Sequence, residues 1–259
     1  MKISFISLGC PKNTVNSEQM LFQTQQAGHE IVSAPEQADA VIINTCAFIE
    51  SATQEAIDTI LQIGELKKSG QVKYLVVAGC LAQRYREEIL QELPEVDALV
   101  GIASFGSIDQ VLAQLEEGQV IESFADKNGP IEELGRVVST GPNWAYLRIA
   151  EGCNNWCAFC VIPSIRGRYR SRPMEAIVQE AEDLAAQGCR ELIVIAQDIT
   201  RYGEDLYGGR RLSELLRRLC QIPGIQWIRL HYLYPDAFDD ELIETIAVEE
   251  KIVKYLDIP

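Results

Sequence analysis

Short apolar runs alternate with helical patterns along this chain, and the alternation occurs twice. The first series contains strand-like runs at residues 3–8, 39–45 and 74–78, each followed by a stretch with helical spacing. Strands that alternate with helices pair side by side in one direction, and the helices cover both faces of the sheet. We therefore predict an α/β fold whose N-terminal domain is built on a parallel sheet.

The second series predicts a (β/α) barrel that is incomplete. Strands are expected at residues 144–150, 191–196, 226–233 and 253–257, with helices between them. A barrel of this kind closes with eight strands, each covered by a helix. We therefore expect a partial barrel cut after its fourth strand, in a piece of a longer protein. An ordinary domain that ends on a strand is the alternative.

The two series are separated by a stretch without periodicity. It contains Gly-Pro pairs at 129–130 and 141–142, which are typical of turns and linkers. We predict an N-terminal domain over residues 1–120, a linker over 121–143 and a second domain over 144–259.

Charge and hydropathy restrict the partners of this chain. Its 259 residues include 23 basic and 38 acidic ones, and the formal net charge is −15. Such a surface repels phosphate backbones, which argues against DNA as a partner. No apolar run approaches the roughly 18 residues that a membrane helix needs. We expect a soluble, cytoplasmic protein with no membrane partner.

Three of the eight cysteines lie close together after a predicted strand. Cys153, Cys157 and Cys160 form the pattern C-x3-C-x2-C. Three thiolates can hold one 4Fe–4S cluster and leave its fourth iron without a protein ligand. A zinc site with a fourth ligand from elsewhere and buried core thiols are the alternatives. We favour the cluster because zinc sites usually contain paired knuckles or histidine.

Three other cysteines occupy equivalent positions in the first series. Cys10, Cys46 and Cys80 each follow the carboxyl end of a predicted strand. Parallel strands end at one edge of the sheet, so these side chains can converge there and bind a second cluster. Buried thiols are the alternative for each one. Cys189 and Cys220 lack such neighbours and are expected to be inert.

These patterns resemble a known enzyme family. C-x3-C-x-aromatic-C, with Phe159 at the aromatic position, is similar to the signature of the radical S-adenosylmethionine (SAM) superfamily. A three-cysteine domain ahead of such a barrel resembles the methylthiotransferases. The branch that modifies a small-subunit ribosomal protein is the most similar, whereas tRNA-modifying relatives typically carry Gln-Met-Asn after the first cysteine. The segments that carry this likeness are SLGCPKN (7–13), AQD (196–198), YG (202–203), RLHY (229–232), YP (234–235) and YLDIP (255–259).

The resemblance implies two 4Fe–4S clusters and SAM as cofactors. It assigns the radical-generating cluster to Cys153, Cys157 and Cys160, and a sulfur-delivering cluster to Cys10, Cys46 and Cys80. The implied reaction adds a methylthio group to the β-carbon of an aspartate in a ribosomal protein of the small subunit. An electron donor such as flavodoxin or ferredoxin is implied as a partner.

Further cofactor-binding residues are expected in the second domain. The resemblance places Phe159, Gln197, Asp198 and Arg229 near SAM, while no catalytic residue is assigned. Asp198 at a strand end could instead cap the next turn. A structural salt bridge is the alternative for Arg229, and His231 has no assigned role.

Four arginines follow the cluster loop at every second position. If this segment is extended, they line one side and could meet an acidic protein loop or ribosomal RNA; a solvated face is the alternative. The four residues are Arg166, Arg168, Arg170 and Arg172.

Two other functions remain open at this point. One is a tRNA adenosine methylthiotransferase, and the other is an iron–sulfur electron-transfer or scaffold protein without radical chemistry. Electron-transfer clusters usually have four cysteine ligands, and both sites here have three. We expect this chain on its own to bind its clusters and to turn over poorly or not at all.

Overall fold

The computed structural model describes residues 1–115, 117–118 and 120–258. Contacts divide the chain into two compact units. Unit 1 contains Met1–Val137 together with the short segment Cys157–Arg166. Unit 2 contains Val138–Trp156 and the described residues from Gly167 onward. None of the described helices is both long and apolar enough to cross a membrane.

Unit 1 is built on a parallel sheet, as the sequence predicted. Its described strands pair in the order β2-β1-β3-β4-β5-β6, and every neighbouring pair is parallel. The order changes direction between β1 and β3, and ligands of such sheets bind beyond the carboxyl ends of the strands at this point. The strands are β1 (Lys2–Ser7), β2 (Glu30–Ile31), β3 (Ala40–Thr45), β4 (Tyr74–Gly79), β5 (Ala98–Val100) and β6 (Ile121–Ser123).

Helices pack on this sheet and bury its apolar side chains. Every residue of β3 is buried, which is expected of a central strand covered on both faces. The core also includes Ile165, from the short segment that follows the cluster loop. The helices of unit 1 are α1 (Pro11–Gln26), α2 (Glu50–Lys68), α3 (Cys80–Arg84), α4 (Arg86–Glu92), α5 (Ile108–Leu115) and α6 (Ile162–Arg166).

Unit 2 contains a second parallel sheet, which fits a partial radical SAM barrel. Its four longer strands pair in the order β12-β11-β10-β7, and β8 and β9 form a separate antiparallel pair. The strands are β7 (Trp144–Arg148), β8 (Ala150–Glu151), β9 (Arg170–Ser171), β10 (Glu191–Ile195), β11 (Trp227–Leu230) and β12 (Ile252–Leu256). The helices are α7 (Met174–Ala186), α8 (Glu204–Tyr207), α9 (Leu212–Cys220) and α10 (Asp240–Val248).

The structure differs from the sequence-based prediction at several boundaries. The helical spacing after the third strand predicts one helix over residues 82–93, but Tyr85 leaves the helical region and separates α3 from α4. The first residues of the predicted linker form β6, which pairs with β5. Unit 1 continues to Val137, whose N–H donates to the carbonyl oxygen of Glu18 at 3.1 Å.

Candidate functional site

Three loops carry cysteines at the carboxyl edge of the unit 1 sheet. Cys10 lies between β1 and α1, Cys46 follows β3, and Cys80 is the first residue of α3 after β4. The three strands are neighbours in the sheet, so the loops that leave them begin side by side. The three cysteines therefore lie at the carboxyl edge of the sheet, as the sequence predicted. Two of them follow β1 and β3, the pair of strands between which the strand order changes direction.

The backbone beside the cysteines is packed too tightly for side chains. Gly9 has a φ of +91°, and a Cβ built on it would lie 2.6 Å from Cys46 Cβ and 3.2 Å from Cys46 Sγ. Cys46 and the residue before Cys10 are therefore in contact. Left-handed backbone of this kind is accessible to glycine at little cost.

Asn13 connects the loops that carry the cysteines. Its side-chain N–H groups donate to the carbonyl oxygens of Leu8 and Thr45, both at 2.9 Å. Its Oδ1 lies 3.9 Å from Cys80 Sγ. One buried amide therefore reaches the ends of β1 and β3 and the first residue after β4.

Arg166 contacts the same group of side chains from α6. Its Nη2 donates to Asn13 Oδ1 at 2.7 Å and to Cys80 Sγ at 3.5 Å. Only 1% of its surface is exposed. The sequence missed this contact, because Arg166 and Asn13 are 153 residues apart and no local pattern connects them.

Electrostatics distinguish two of the three thiols. Burial opposes ionisation of Cys10, but the charges of Arg166 and Lys12 and two backbone N–H groups outweigh it, so the pKa of Cys10 is lowered. Burial raises the pKa of Cys80, and negative charge on Cys10 and Cys46 raises it further, while Arg166 opposes both effects. Cys10 and Cys46 therefore lie close enough to Cys80 for their charges to act on it.

The three thiols are compatible with the ligands of a cluster. Among the residues that the structure describes, no group of three His, Cys, Asp or Glu side chains that could hold a metal ion is found. The thiolates of a cluster bind different irons, so they surround a space instead of converging on a point. Three buried or half-buried cysteines with a guanidinium beside them suit such a group, whose sulfurs accept hydrogen bonds.

Gly79→Ala is expected to disturb this site and to destabilise unit 1. Gly79 has a φ of +92°, and a Cβ on it would collide with Asn44 Oδ1 and lie 2.8 Å from the carbonyl oxygen of Thr45. Strained backbone alone costs about 1–3 kcal/mol, and displacement of neighbouring Cys80 should lower iron binding. Urea unfolding and iron content measure the two effects.

Gly70→Ala is the matched control for this substitution. Gly70 has a similar φ of +79°, but nothing lies within 4 Å of a Cβ built there. It shares the positive φ and lacks the collision. Equal losses of stability in the two variants, with unchanged iron content, would contradict the prediction.

In unit 2, Cys153 lies in a tight turn after β8. Its N–H donates to the carbonyl oxygen of Gly167 at 3.2 Å, and its Sγ accepts from the N–H of Asn155 at 3.4 Å. Gly152, with a φ of +77°, has the Arg168 carbonyl so close that a Cβ would collide with it. Cys153 is nearly buried, and its sulfur receives this hydrogen bond.

Cys157 and Cys160 belong to the short segment of unit 1. The N–H of Cys160 donates to the carbonyl oxygen of Cys157 at 2.9 Å, so the two lie in one turn before α6. Phe159 between them is 86% exposed. Its cofactor-binding role stays a prediction.

The two polar residues after β10 differ in how their atoms are used. Asp198 is buried; its Oδ1 accepts from the N–H of Thr200 at 3.0 Å and from the Thr200 hydroxyl. This is the turn cap that the sequence left open as the alternative for Asp198.

Gln197 donates to Glu151 Oε1 at 3.0 Å, while its own Oε1 is buried without a hydrogen-bond partner among the described residues. An orphaned acceptor at a strand end can receive a ligand donor.

Asn155 and Arg201, which the sequence analysis missed, connect the cysteine turn to the sheet edge. Asn155 donates to Asp198 Oδ2 at 2.9 Å and accepts from Arg201 Nε at 2.9 Å. Arg201 also pairs with Asp236 at 2.9 Å. The sequence offered one signal for Asn155, namely its position two residues after Cys153.

A cavity of about 510 Å³ opens beside this network. Its lining includes Asn154, Tyr169 and Tyr234 as well as acidic side chains. Burial raises the pKa of the Tyr169 hydroxyl well above its usual value, and the nearby carboxylates of Asp198 and Asp205 add to the effect. The hydroxyl is a neutral donor at the carboxyl edge of the unit 2 sheet.

The remaining predicted residues are placed as follows. Arg229 donates to Glu191 Oε1 at 2.7 Å, which is the salt bridge left open as its alternative, and its contact with SAM stays a prediction. The prediction of four arginines along one side of an extended segment was wrong. Arg166 is the last residue of α6 and is buried in unit 1. Arg172 is buried in unit 2, where its Nη1 lies 2.6 Å from Glu180 Oε2.

Comparisons with known families cover most of the chain. Residues 2–101 match the Uncharacterized protein family UPF0004, and residues 147–258 match the Radical SAM superfamily. The first match contains Cys10, Cys46 and Cys80, and the second contains the C-x3-C-x2-C motif.

A solved structure with low sequence identity has a similar fold. The radical S-adenosylmethionine methyltransferase TsrM from Kitasatospora setae, solved with cobalamin and a 4Fe–4S cluster bound, aligns with a TM-score of 0.63 and 14% identity. The alignment covers 97% of this chain and 59% of TsrM. At this identity the likeness concerns the fold alone.

Curated relatives are similar along the whole chain. The ribosomal protein uS12 methylthiotransferase RimO of Lachnoclostridium phytofermentans is 52% identical over 260 residues, which is 100% of this chain and 59% of that protein. The protein of the same name from Clostridium botulinum is 50% identical over 100% of this chain and 58% of its own length. The chain thus spans less than two thirds of the length of these relatives. With both matched regions and both cysteine triads in place, the chain is similar to the radical SAM methylthiotransferases.

Proposed function

We propose that this chain acts in the methylthiolation of the small-subunit ribosomal protein uS12, at the β-carbon of an aspartate. The observation that carries the proposal is the grouping of Cys10, Cys46 and Cys80 at one sheet edge, in a chain that also contains the C-x3-C-x2-C motif. The relatives named RimO support the substrate, because their names state it. Two separate three-cysteine sites are what a radical enzyme that also delivers sulfur requires.

Unit 1 would hold the second cluster. Cys10, Cys46 and Cys80 are its proposed ligands, and the lowered pKa of Cys10 favours the thiolate that binds iron. Asn13 keeps the loops in register through its hydrogen bonds to Leu8 and Thr45. Burial of the site excludes water from a sulfur-containing group.

The C-x3-C-x2-C motif would hold the radical-generating cluster, and the edge of the unit 2 sheet would hold SAM. When bound, the two clusters and SAM supply one-electron activation of a C–H bond together with the sulfur and the methyl group. The orphaned Oε1 of Gln197 can accept from an amino group of SAM. Asp198 holds Asn155, and with it the turn after Cys153, in place.

An external reductant and a cytoplasmic setting belong to the proposal. The two clusters need low-potential electrons, which a flavodoxin or ferredoxin can supply. The ribosomal protein in the names of the relatives supports a cytoplasmic location. The formal charge of −15 suits a compact basic protein better than an extended RNA.

Mass spectrometry tests this proposal. The anaerobically reconstituted chain is incubated with SAM, a low-potential reductant and either isolated uS12 or total tRNA. We expect 5′-deoxyadenosine in both reactions and a methylthio group on uS12 alone, at a low yield. A methylthio group on tRNA would favour the tRNA branch of the family. Absence of 5′-deoxyadenosine, with both clusters present, would contradict radical chemistry.

A further inference from the structure

One buried arginine of unit 1 reaches the cysteines of the proposed second cluster. Arg166 is 1% exposed and ends α6, the helix that follows Cys157 and Cys160. Its Nη2 donates to Cys80 Sγ at 3.5 Å and to Asn13 Oδ1 at 2.7 Å. A guanidinium in this position is directed at a cluster ligand.

The burial of this guanidinium needs negative charge nearby. A buried cation is costly unless opposite charge and hydrogen bonds compensate it. The Cys80 sulfur and the Asn13 side-chain oxygen accept its hydrogen bonds, and a cluster bound beside them would supply the compensating negative charge.

We propose that Arg166 is a positioning residue of the cluster bound by Cys10, Cys46 and Cys80, and that its charge raises the reduction potential of that cluster. The inference rests on the second cluster of the proposed function. Positive charge and hydrogen bonds to the sulfurs are among the factors that set cluster potentials. An added electron is more stable beside a cation, so removing the cation makes reduction harder.

The position of Arg166 in the chain gives this contact a second consequence. Cys157, Cys160 and Arg166 belong to one continuous segment of unit 1, and Ile165 of that segment lies in its apolar core. Lys12 is a second buried cation of the site and also lowers the pKa of Cys10, but it comes from α1. Arg166 thus connects the segment that contains Cys157 and Cys160 with Cys80.

A redox titration isolates this effect. The 259-residue chain with Cys153, Cys157 and Cys160 replaced by alanine should keep one cluster of about four irons at the other triad. Arg166→Gln, Arg166→Lys and Arg168→Gln are added separately to this parent. Arg168 is an exposed member of the same arginine run and serves as the control. Electron paramagnetic resonance at fixed potentials reports the reduced fraction.

We expect Arg166→Gln to lower the ratio of reduced to oxidised cluster at least about tenfold at a given potential, which is ~59 mV for one electron. Arg166→Lys keeps the charge and should stay close to the parent, as should Arg168→Gln. If Arg166→Gln assembles no cluster while Arg166→Lys assembles one, the charge is needed for binding, which also supports the proposal. An unchanged potential in Arg166→Gln, or loss of the cluster in both variants, would overturn it.

The same titration separates this inference from the proposed function. A parent that binds no iron would overturn the second cluster and the role of Arg166 together. A parent with about four irons, whose potential does not depend on Arg166, would overturn the inference and leave the second cluster standing.

Discussion

Replacing Cys10, Cys46 and Cys80 together by alanine is expected to lower the iron content of the reconstituted chain from about eight to about four atoms. The three cysteines follow neighbouring strands at the carboxyl edge of the unit 1 sheet, so their removal deletes all proposed ligands of one cluster. Iron and acid-labile sulfide per chain measure the loss. Formation of 5′-deoxyadenosine should continue, because the C-x3-C-x2-C motif is intact, while methylthio transfer should stop.

The remaining two cysteines provide the control for this experiment. Cys189 donates to the carbonyl oxygen of Glu191 at 3.2 Å, and burial, with a contribution from Glu249, raises the pKa of Cys220 to about 12. Neither thiol belongs to a proposed cluster site, so the Cys189→Ala and Cys220→Ala variants should keep about eight irons per chain. If these variants lose as much iron as the triad variant does, or if the triad variant loses none, the assignment of the second cluster fails.

The strand–helix alternation could be predicted because it depends on local periodicity. The start of α1 could not be found in this way: helical spacing in the sequence predicts a helix over residues 17–27, whereas α1 begins at Pro11. Its first turns bury the polar side chains of Asn13 and Asn16, and Asn13 donates to the loops, so no apolar stripe marks this part of the helix. Proline at the first helical position was the available signal.

The cysteine positions could be predicted, but the residues around them could not. Cys10, Cys46 and Cys80 each follow a strand that the sequence itself indicates. Because parallel strands end at the same edge of a sheet, the three cysteines lie at that edge. Arg166 and Asn13 are related only through the tertiary fold, since 153 residues separate them. Regular spacing of arginines is compatible with both solvent and burial, so the pattern alone could not distinguish Arg166 from exposed Arg168.

Replacing Cys153, Cys157 and Cys160 together by alanine is expected to abolish 5′-deoxyadenosine formation. The chain should keep about four irons, held by the other triad. The reason is that Cys153 has local contacts of its own, with the Gly167 carbonyl oxygen and the Asn155 N–H, so its replacement should leave the loops of unit 1 in place. Chromatography of the SAM reaction products, with the iron content of the same sample, measures both effects.

The other triad variant is the matched control, because it removes the same number of thiols from the same chain. The two variants should have similar iron contents and opposite activities toward SAM: 5′-deoxyadenosine persists when Cys10, Cys46 and Cys80 are lost and disappears when the C-x3-C-x2-C cysteines are lost. Since both lose one cluster, a general loss of stability cannot produce this difference. If 5′-deoxyadenosine persists in the variant without Cys153, Cys157 and Cys160, the radical-generating cluster lies elsewhere and the assignment of the motif is wrong.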